Sequence, residues 1–305
     1  MIKRKVCRRV SGMVIGLILG SMAVSKAQDG EPDLRVMSFN LLRGGAGRGQ
    51  PLSQSAKVIE AAGADLVGLQ EAGGKATELA KILGWNASDN GPKAILTRHE
   101  IVGRHQSGVR VRLPSGREFY AFNVHFKPAP YQPYQLLGIP YGQAPFLKTE
   151  AEAVASAWKT RGPQVEALLK EIGSLPEKDL PVFLTGDFNE PSHLDWTARA
   201  AEAGRHPIKV AYPVSLALAK AGFEDAWRRV YPDELAKPGF TWTPMTKADD
   251  PKDHHDRIDF VYFRGGDLRI RGAQVVGENK KNADLVVSPY PSDHRAVVAA
   301  VILGK

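Results

Sequence analysis

The chain has 305 residues, 43% hydrophobic and 24% charged, with a formal net charge of +8. That balance excludes a disordered chain and leaves enough apolar residues for a sizeable core. Six of the 41 basic residues and none of the 33 acidic ones fall in residues 1–27, so the remainder carries only +2, which excludes a globally basic surface for nucleic-acid binding.

The N-terminus has the layout of an export signal. Lys3, Arg4, Lys5, Arg8 and Arg9 precede the apolar stretch Met13-Val14-Ile15-Gly16-Leu17-Ile18-Leu19-Gly20, and Ser25-Lys26-Ala27 supplies small residues for cleavage. The reading is a secretory signal over 1–27, cut after Ala27, and one domain over 28–305 in a secreted or periplasmic monomer. An uncleaved anchor is the alternative, but the apolar stretch falls well short of the ~20 residues that span a bilayer, so no stable membrane anchor is expected. The single cysteine, Cys7, leaves with the signal and takes thiol chemistry with it.

Beyond the signal, strands and helices alternate irregularly. Leu34–Leu42 is a predicted strand, Leu52–Ala62 a helix ended by Gly63, Asp65–Gln70 a buried strand, and Ala76–Leu83 a helix ended by Gly84. Lys93–Thr97, Gly108–Leu113 and Glu118–Phe126 read as strands, the last two joined by the turn Pro114-Ser115-Gly116. Thr149–Ile172 is the longest helical stretch, and Gly162-Pro163 is expected to break it in two. Pro181–Thr185, Arg257–Phe263, Leu268–Val276 and Arg295–Ile302 complete the strands. Local hairpins among helices favour a mixed-sheet α/β sandwich over a doubly wound parallel sheet. Residues 127–146, with five prolines and three tyrosines, show neither period; they are either a surface loop with packed aromatics or a substrate-facing flap.

Polar residues stand at the ends of six apolar segments. Asn40 ends the first, Glu71 follows the second, and His125 ends Phe119–Val124. Asp187 and Asn189 follow Pro181–Thr185 in Gly186-Asp187-Phe188-Asn189. Asp259 lies within Arg257-Ile258-Asp259-Phe260, and Ser292-Asp293-His294 precedes the final strand. Each has an ordinary structural explanation alone: a turn, a helix cap, a buried histidine or an ion pair with Arg257. Buried strands gain nothing from such groups unless they are paired, so their convergence at one sheet edge fits a divalent cation and a phosphate.

In this order the motifs resemble the endonuclease/exonuclease/phosphatase superfamily with its deoxyribonuclease-I-like fold, over essentially Leu34 to Leu303. The resemblance implies a four-layered α/β sandwich of two packed mixed β-sheets flanked by helices. It also implies a metal-dependent phosphoester hydrolase acting by in-line attack of water. Glu71, Asn40 and Asp293 would hold Mg2+ or Mn2+; Asp187 would orient or deprotonate the water; Asn189 would bond a phosphoryl oxygen. His294, fixed by Asp259, would act as base or clamp, and His125 would contact the phosphate or protonate the leaving group. Asp256 competes with Asp259 as partner of His294, with Asp259 favoured; His193 either braces the helix start or touches substrate, and His254 and His255 are read as loop residues, with a substrate role open for His255. The substrate is a small phosphodiester or a nucleic acid, with sphingomyelin a lesser alternative and a non-catalytic binding protein a remote one. Lys93, Arg98, Arg104, Arg110, Arg112 and Arg117 make a locally basic stretch that a nuclease would use.

Overall fold

The structure is a computed structural model and describes residues 33–89, 91–247, 250 and 254–304. The signal expected at 1–27 lies outside the described residues. In chain order the first sheet-forming stretch holds β1 (Leu34–Asn40), α1 (Leu52–Ala61), β2 (Leu66–Gln70), α2 (Ala76–Leu83), β3 (Asn86–Ala87) and β4 (Ile95–Thr97). Next come β5 (Glu100–Arg104), β6 (Gly108–Arg112), β7 (Glu118–His125), α3 (Gln132–Leu137), α4 (Glu150–Gly173) and β8 (Val182–Asp187). The chain finishes with α5 (Ala198–Glu202), α6 (Pro213–Lys220), β9 (Glu224–Asp225), α7 (Ala226–Val230), β10 (Asp259–Arg264), β11 (Leu268–Gly277), β12 (Leu285–Val286) and β13 (Ala296–Leu303).

Strands as apolar as β1, β2 and β13 must have both faces covered. Two mixed sheets provide this, one ordered β12-β11-β13-β1-β2-β4-β3 and the other β5-β6-β7-β8-β10-β9. The two-residue side-chain period divides the core. Leu34, Val36, Leu66, Phe119, Phe183 and Val261 fill the space between the sheets. Met37, Phe39, Val67 and Leu69 turn outward onto Val58, Ile59 and Leu79 of α1 and α2, while Tyr120, Phe122 and Leu184 meet Val165, Leu168 and Leu218 of α4 and α6. The result is the expected four-layered sandwich, in which each fully buried large side chain contributes roughly 1.5–3 kcal/mol.

Near one end the inter-sheet layer becomes polar. Gln70 Nε2 donates to Asn123 Oδ1 (2.7 Å), and Asn123 Nδ2 donates to the Leu69 carbonyl (2.7 Å). Gly68 makes room for this layer: a Cβ there would lie 1.9 Å from Thr185 Oγ1 and 2.6 Å from Asn123 Oδ1. At this end β1, β2, β7 and β8 finish and β10 and β13 begin.

Two expectations need correction. α4 runs unbroken from Glu150 to Gly173 with Pro163 inside it. The proline costs about 3 kcal/mol in an isolated helix. Here a capping box at Thr149 and Glu152 fixes the start, and burial of Ala153, Ala157, Val165, Leu168 and Ile172 outweighs the local defect. The second correction concerns residues 127–146, which contain α3, started by Pro133 and stopped by left-handed Gly138. The segment is fastened to α4 by Arg161, fully buried, which donates to the carbonyls of Lys127 (3.0 Å), Pro128 (3.4 Å) and Pro130 (3.0 Å) and to Gln132 Oε1 (2.7 Å).

Candidate active site

Strand register builds the site. β7 and β8 run parallel with His125 opposite Asp187, and β8 and β10 run antiparallel with Asp187 opposite Asp259. Three polar side chains thus stand side by side on adjacent strands. Asp187 is the hub. Its Oδ2 accepts from Asn40 Nδ2 (3.0 Å), bridging the two sheets, and lies 3.5 Å from His125 Nε2 and 3.7 Å from His294 Nε2. Its Oδ1 accepts from the Asn189 backbone N–H (2.9 Å), which turns Asn189 into the left-handed region at φ 50°. The Asn189 side chain donates to the Phe126 carbonyl (3.0 Å).

His294 is held at one ring nitrogen and at its backbone. Nδ1 lies 2.9 Å from Asp259 Oδ2, and its backbone N–H donates to Ser292 Oγ (3.1 Å), whose hydroxyl donates to the Asn40 carbonyl (2.6 Å). Thr241 Oγ1 accepts from the N–H groups of Ile258 and Asp259, which fixes the start of β10. Burial pulls the His294 imidazole down, but the charges of Asp259 and Asp187 outweigh it and hold it up at about 10. At neutral pH the ring is an imidazolium between two carboxylates.

Across the hub lie Glu71 and Asp293. Glu71 follows β2 at φ 51°; its Oε2 accepts from the Arg43 N–H (3.2 Å) and its carbonyl from the Gly44 N–H (2.6 Å). Burial raises the Asp293 carboxyl; the His294 charge opposes this, and the charges of Glu71 and Asp187 add to it. Asp293 Oδ1 is buried with no hydrogen-bond partner. An orphaned carboxylate oxygen facing another carboxylate is the feature a hard cation satisfies, and the oxygen donors Asn40, Glu71 and Asp293 suit one.

All eight motif residues therefore gather at one end of the sandwich. Asp256 does not join them. Its Oδ2 accepts from Tyr131 OH (2.6 Å) and its Oδ1 from Trp196 Nε1 (2.9 Å), whereas Asp259 is the carboxylate against His294. His193 Nδ1 meets Ser215 Oγ (2.8 Å), and His255 Nδ1 accepts from the Thr243 N–H (3.3 Å), so both brace loops.

Three contributors were assigned no role in the sequence reading, although Ser292 stood in one of its motifs. Trp242 forms isolated backbone bridges with both Asp256 and His294, and its ring lies 4.8 Å from the His294 ring. Thr241 and Ser292 hold the backbone of β10 and of His294. The alternation Phe240-Thr241-Trp242-Thr243 and the two-residue spacing from Ser292 to His294 are the signals that mark them. From residues 127–146, Tyr134 OH accepts from Trp242 Nε1 (3.3 Å), and Tyr134 packs edge-on against the exposed Tyr141. A row of aromatic rings thus leads from His294 to the surface.

A four-layered sandwich with this gathering of strand-end residues defines a deoxyribonuclease-I-like protein. A model of the Endonuclease/Exonuclease/phosphatase family matches residues 37–294. An uncharacterized protein of Caenorhabditis elegans (F14F9.5) is 30% identical over 294 residues, covering 87% of this chain and 90% of that one. Among solved structures, a humanized D. rerio TDP2 superposes with TM-score 0.52 at 19% identity, covering 88% of this chain and 98% of its own. An AP endonuclease from Archaeoglobus fulgidus gives TM-score 0.50 at 15% identity, with coverages of 87% and 98%. The chain belongs to the endonuclease/exonuclease/phosphatase family, whose members are hydrolases of phosphoester bonds.

Proposed function

We propose that the protein is a divalent-metal-dependent phosphodiesterase in which water attacks phosphorus in line with the leaving oxygen. The observation that carries this reading is the split around Asp187: an imidazolium clamp on one side and, on the other, two carboxylates of which Asp293 Oδ1 has no hydrogen-bond partner. Glu71, Asn40 and Asp293 would hold Mg2+ or Mn2+. Such an ion neutralises charge that develops on phosphoryl oxygen.

The chain's own groups supply the rest. Asp187, oriented by the Asn40 amide and the Asn189 N–H, accepts a proton from the attacking water. His294, kept cationic by Asp259, binds a phosphoryl oxygen without a proton having to arrive during the reaction. His125, half-exposed beside Asp187, faces the leaving group. The Asn189 amide already serves the Phe126 carbonyl, and contact with phosphate uses its second N–H. The row Trp242, Tyr134 and Tyr141 supports leaving groups that carry a planar ring.

Within the class, the charge pattern favours a small phosphodiester over a long nucleic acid. The basic stretch is largely neutralised: Arg98 pairs with Asp65 (3.2 Å), Arg110 with Glu118 and Glu177, Arg112 with Glu118 (2.8 Å) and Arg117 with Asp33 (2.7 Å). Paired arginines release few counterions from a phosphate backbone.

The test is hydrolysis of bis-p-nitrophenyl phosphate with Mg2+ or Mn2+, with and without chelator. Chelator abolishes the activity, and Glu71→Gln lowers kcat/KM at least ~10²-fold, the scale of losing one transition-state charge contact. Turnover in chelator, or Glu71→Gln within a few-fold of wild type, overturns the proposal.

A further inference from the structure

The stretch from His254 to Asp256 supplies two residues, His254 and Asp256, that the candidate active site does not use. With His206, which follows α5, they form a second cluster. We propose that His206, His254 and Asp256 bind a transition-metal cation of the Zn2+ class, separately from the oxygen-lined site at Glu71 and Asp293.

Three observations carry this. First, one donor atom from each residue lies within 4.8 Å of the others, and His254 Nε2 is 3.3 Å from Asp256 Oδ1. The edge of a tetrahedron with zinc–ligand bonds of ~2.0–2.1 Å is about 3.3 Å, so this pair already has the spacing of two ligands, and His206, within 4.8 Å of both, would draw inward to complete the triad. Second, His206 Nδ1 and Asp195 Oδ2 are buried with no hydrogen-bond partner. Both residues, with Asp256, line a cavity of about 20 Å3 whose wall also includes the exposed Arg205. A space of ~10–15 Å3 holds one water-sized occupant, so there is room beside His206 and Asp256, while His254 meets Asp256 without lining this cavity. Third, the donors are already oriented. The His206 ring stacks flat on Trp196 (4.0 Å, 11°), and Asp256 accepts from Trp196 Nε1 and Tyr131 OH. Such outer partners fix ligand geometry.

The donor chemistry separates the two sites. Two imidazoles and a carboxylate suit Zn2+ and its neighbours, whereas Mg2+ prefers oxygen donors. Arg228 and Arg257 also border the cavity, but each is paired with Asp195 (2.7 and 2.9 Å), and Arg257 also with Asp225 (2.7 Å), so their charge does not stand against the cation unopposed. A bound ion would lock Asp256, whose backbone exchanges hydrogen bonds with Trp242 (3.0 Å each way), and so brace the strip that flanks His294.

The test uses the full chain, stripped with chelator and then held in saturating Mg2+. Co2+ is titrated in and followed by its visible d–d absorption, with Zn2+ as competitor. Wild type binds one equivalent, Zn2+ displaces it, and Glu71→Gln, which disables only the oxygen site, binds equally well. His206→Ala and His254→Ala weaken binding at least ~10-fold each. No d–d bands in wild type, bands that vanish in Glu71→Gln, or unchanged affinity in both folded histidine variants overturns the proposal. The wild-type and Glu71→Gln spectra decide the matter even where a histidine variant fails to fold, and no readout depends on catalysis.

Discussion

Among the described residues lie two clusters built from histidine and aspartate, the first wholly buried and the second less so, and they behave in opposite ways. In the first, His294 stands between two carboxylates, Asp259 and Asp187, the second of which also has His125 Nε2 3.5 Å away. In the second, two imidazoles, His206 and His254, share one carboxylate, Asp256, whose oxygens already receive Trp196 and Tyr131. The first histidine is pushed up to about 10. For His206, burial dominates; the Asp256 charge opposes it only in part, His254 adds to it, and the ring falls to about 4. His294 is the more deeply buried of the two, so the carboxylate charge against it, not shallower burial, makes it a cation that grips phosphate while His206 stays a neutral ring with a lone pair.

The strongest way to break this contrast is to change the ratio in the first cluster. Asp259→Asn leaves His294 one carboxylate and removes the acceptor that sets its Nδ1–H tautomer. We expect kcat on bis-p-nitrophenyl phosphate to fall roughly 10²–10⁴-fold, the range for losing a positioned acid–base partner. The pH limb that belongs to His294 should move down toward its ordinary value near 6.5. A variant within about threefold of wild type at all pH values would show that Asp259 is merely structural.

The next test reads both clusters at once, through stability of the chelated protein against pH. His294 binds its proton more tightly when folded, so its stabilisation is complete below pH 6.5 and is lost as pH climbs toward 10. His206 resists protonation when folded, so its effect has the other sign: stability is lost as pH falls from 6.5 toward 4. Denaturant unfolding should therefore give a maximum near neutrality, with arms on the order of a few kcal/mol. His294→Gln should flatten only the alkaline arm and His206→Asn only the acidic one. Both arms changing together in either variant would mean that the clusters are not separate.

Much of the first cluster was legible in the sequence because strands announce themselves locally. Asn40, Glu71, His125 and Asp187 each close an apolar run, and a parallel or antiparallel neighbour then sets them at one edge. The second cluster was not legible, because His206 and His254 are 48 positions apart and belong to irregular loops with no period that brings them together. The same limit hid Arg161, whose guanidinium ties down residues 127–130 from more than thirty positions away. Pro163 misled for the converse reason: a local rule about helices gave way to burial along the whole of α4. Asp256 and Asp259 sit three residues apart in one segment, and only the register of β10 against β8 shows which of them meets His294.

A smaller effect tests how far the two clusters are coupled. Tyr131 reaches both: its hydroxyl donates to Asp256 Oδ2 (2.6 Å), and its ring packs with Tyr134, Ile258 and Trp242 on the side of His294. Tyr131→Phe keeps the packing and deletes one hydrogen bond to a buried carboxylate, which should cost about 1.5–3 kcal/mol in denaturant unfolding. If that bond serves the second cluster alone, kcat/KM stays within about threefold of wild type, a barrier change below ~0.7 kcal/mol. Combined with Asp259→Asn, the stability losses should then add to within about 0.5 kcal/mol, as for sites with no shared partner. Non-additivity beyond that would make Tyr131 a physical link, carried through Ile258 into Asp259, and would turn two neighbouring clusters into one network.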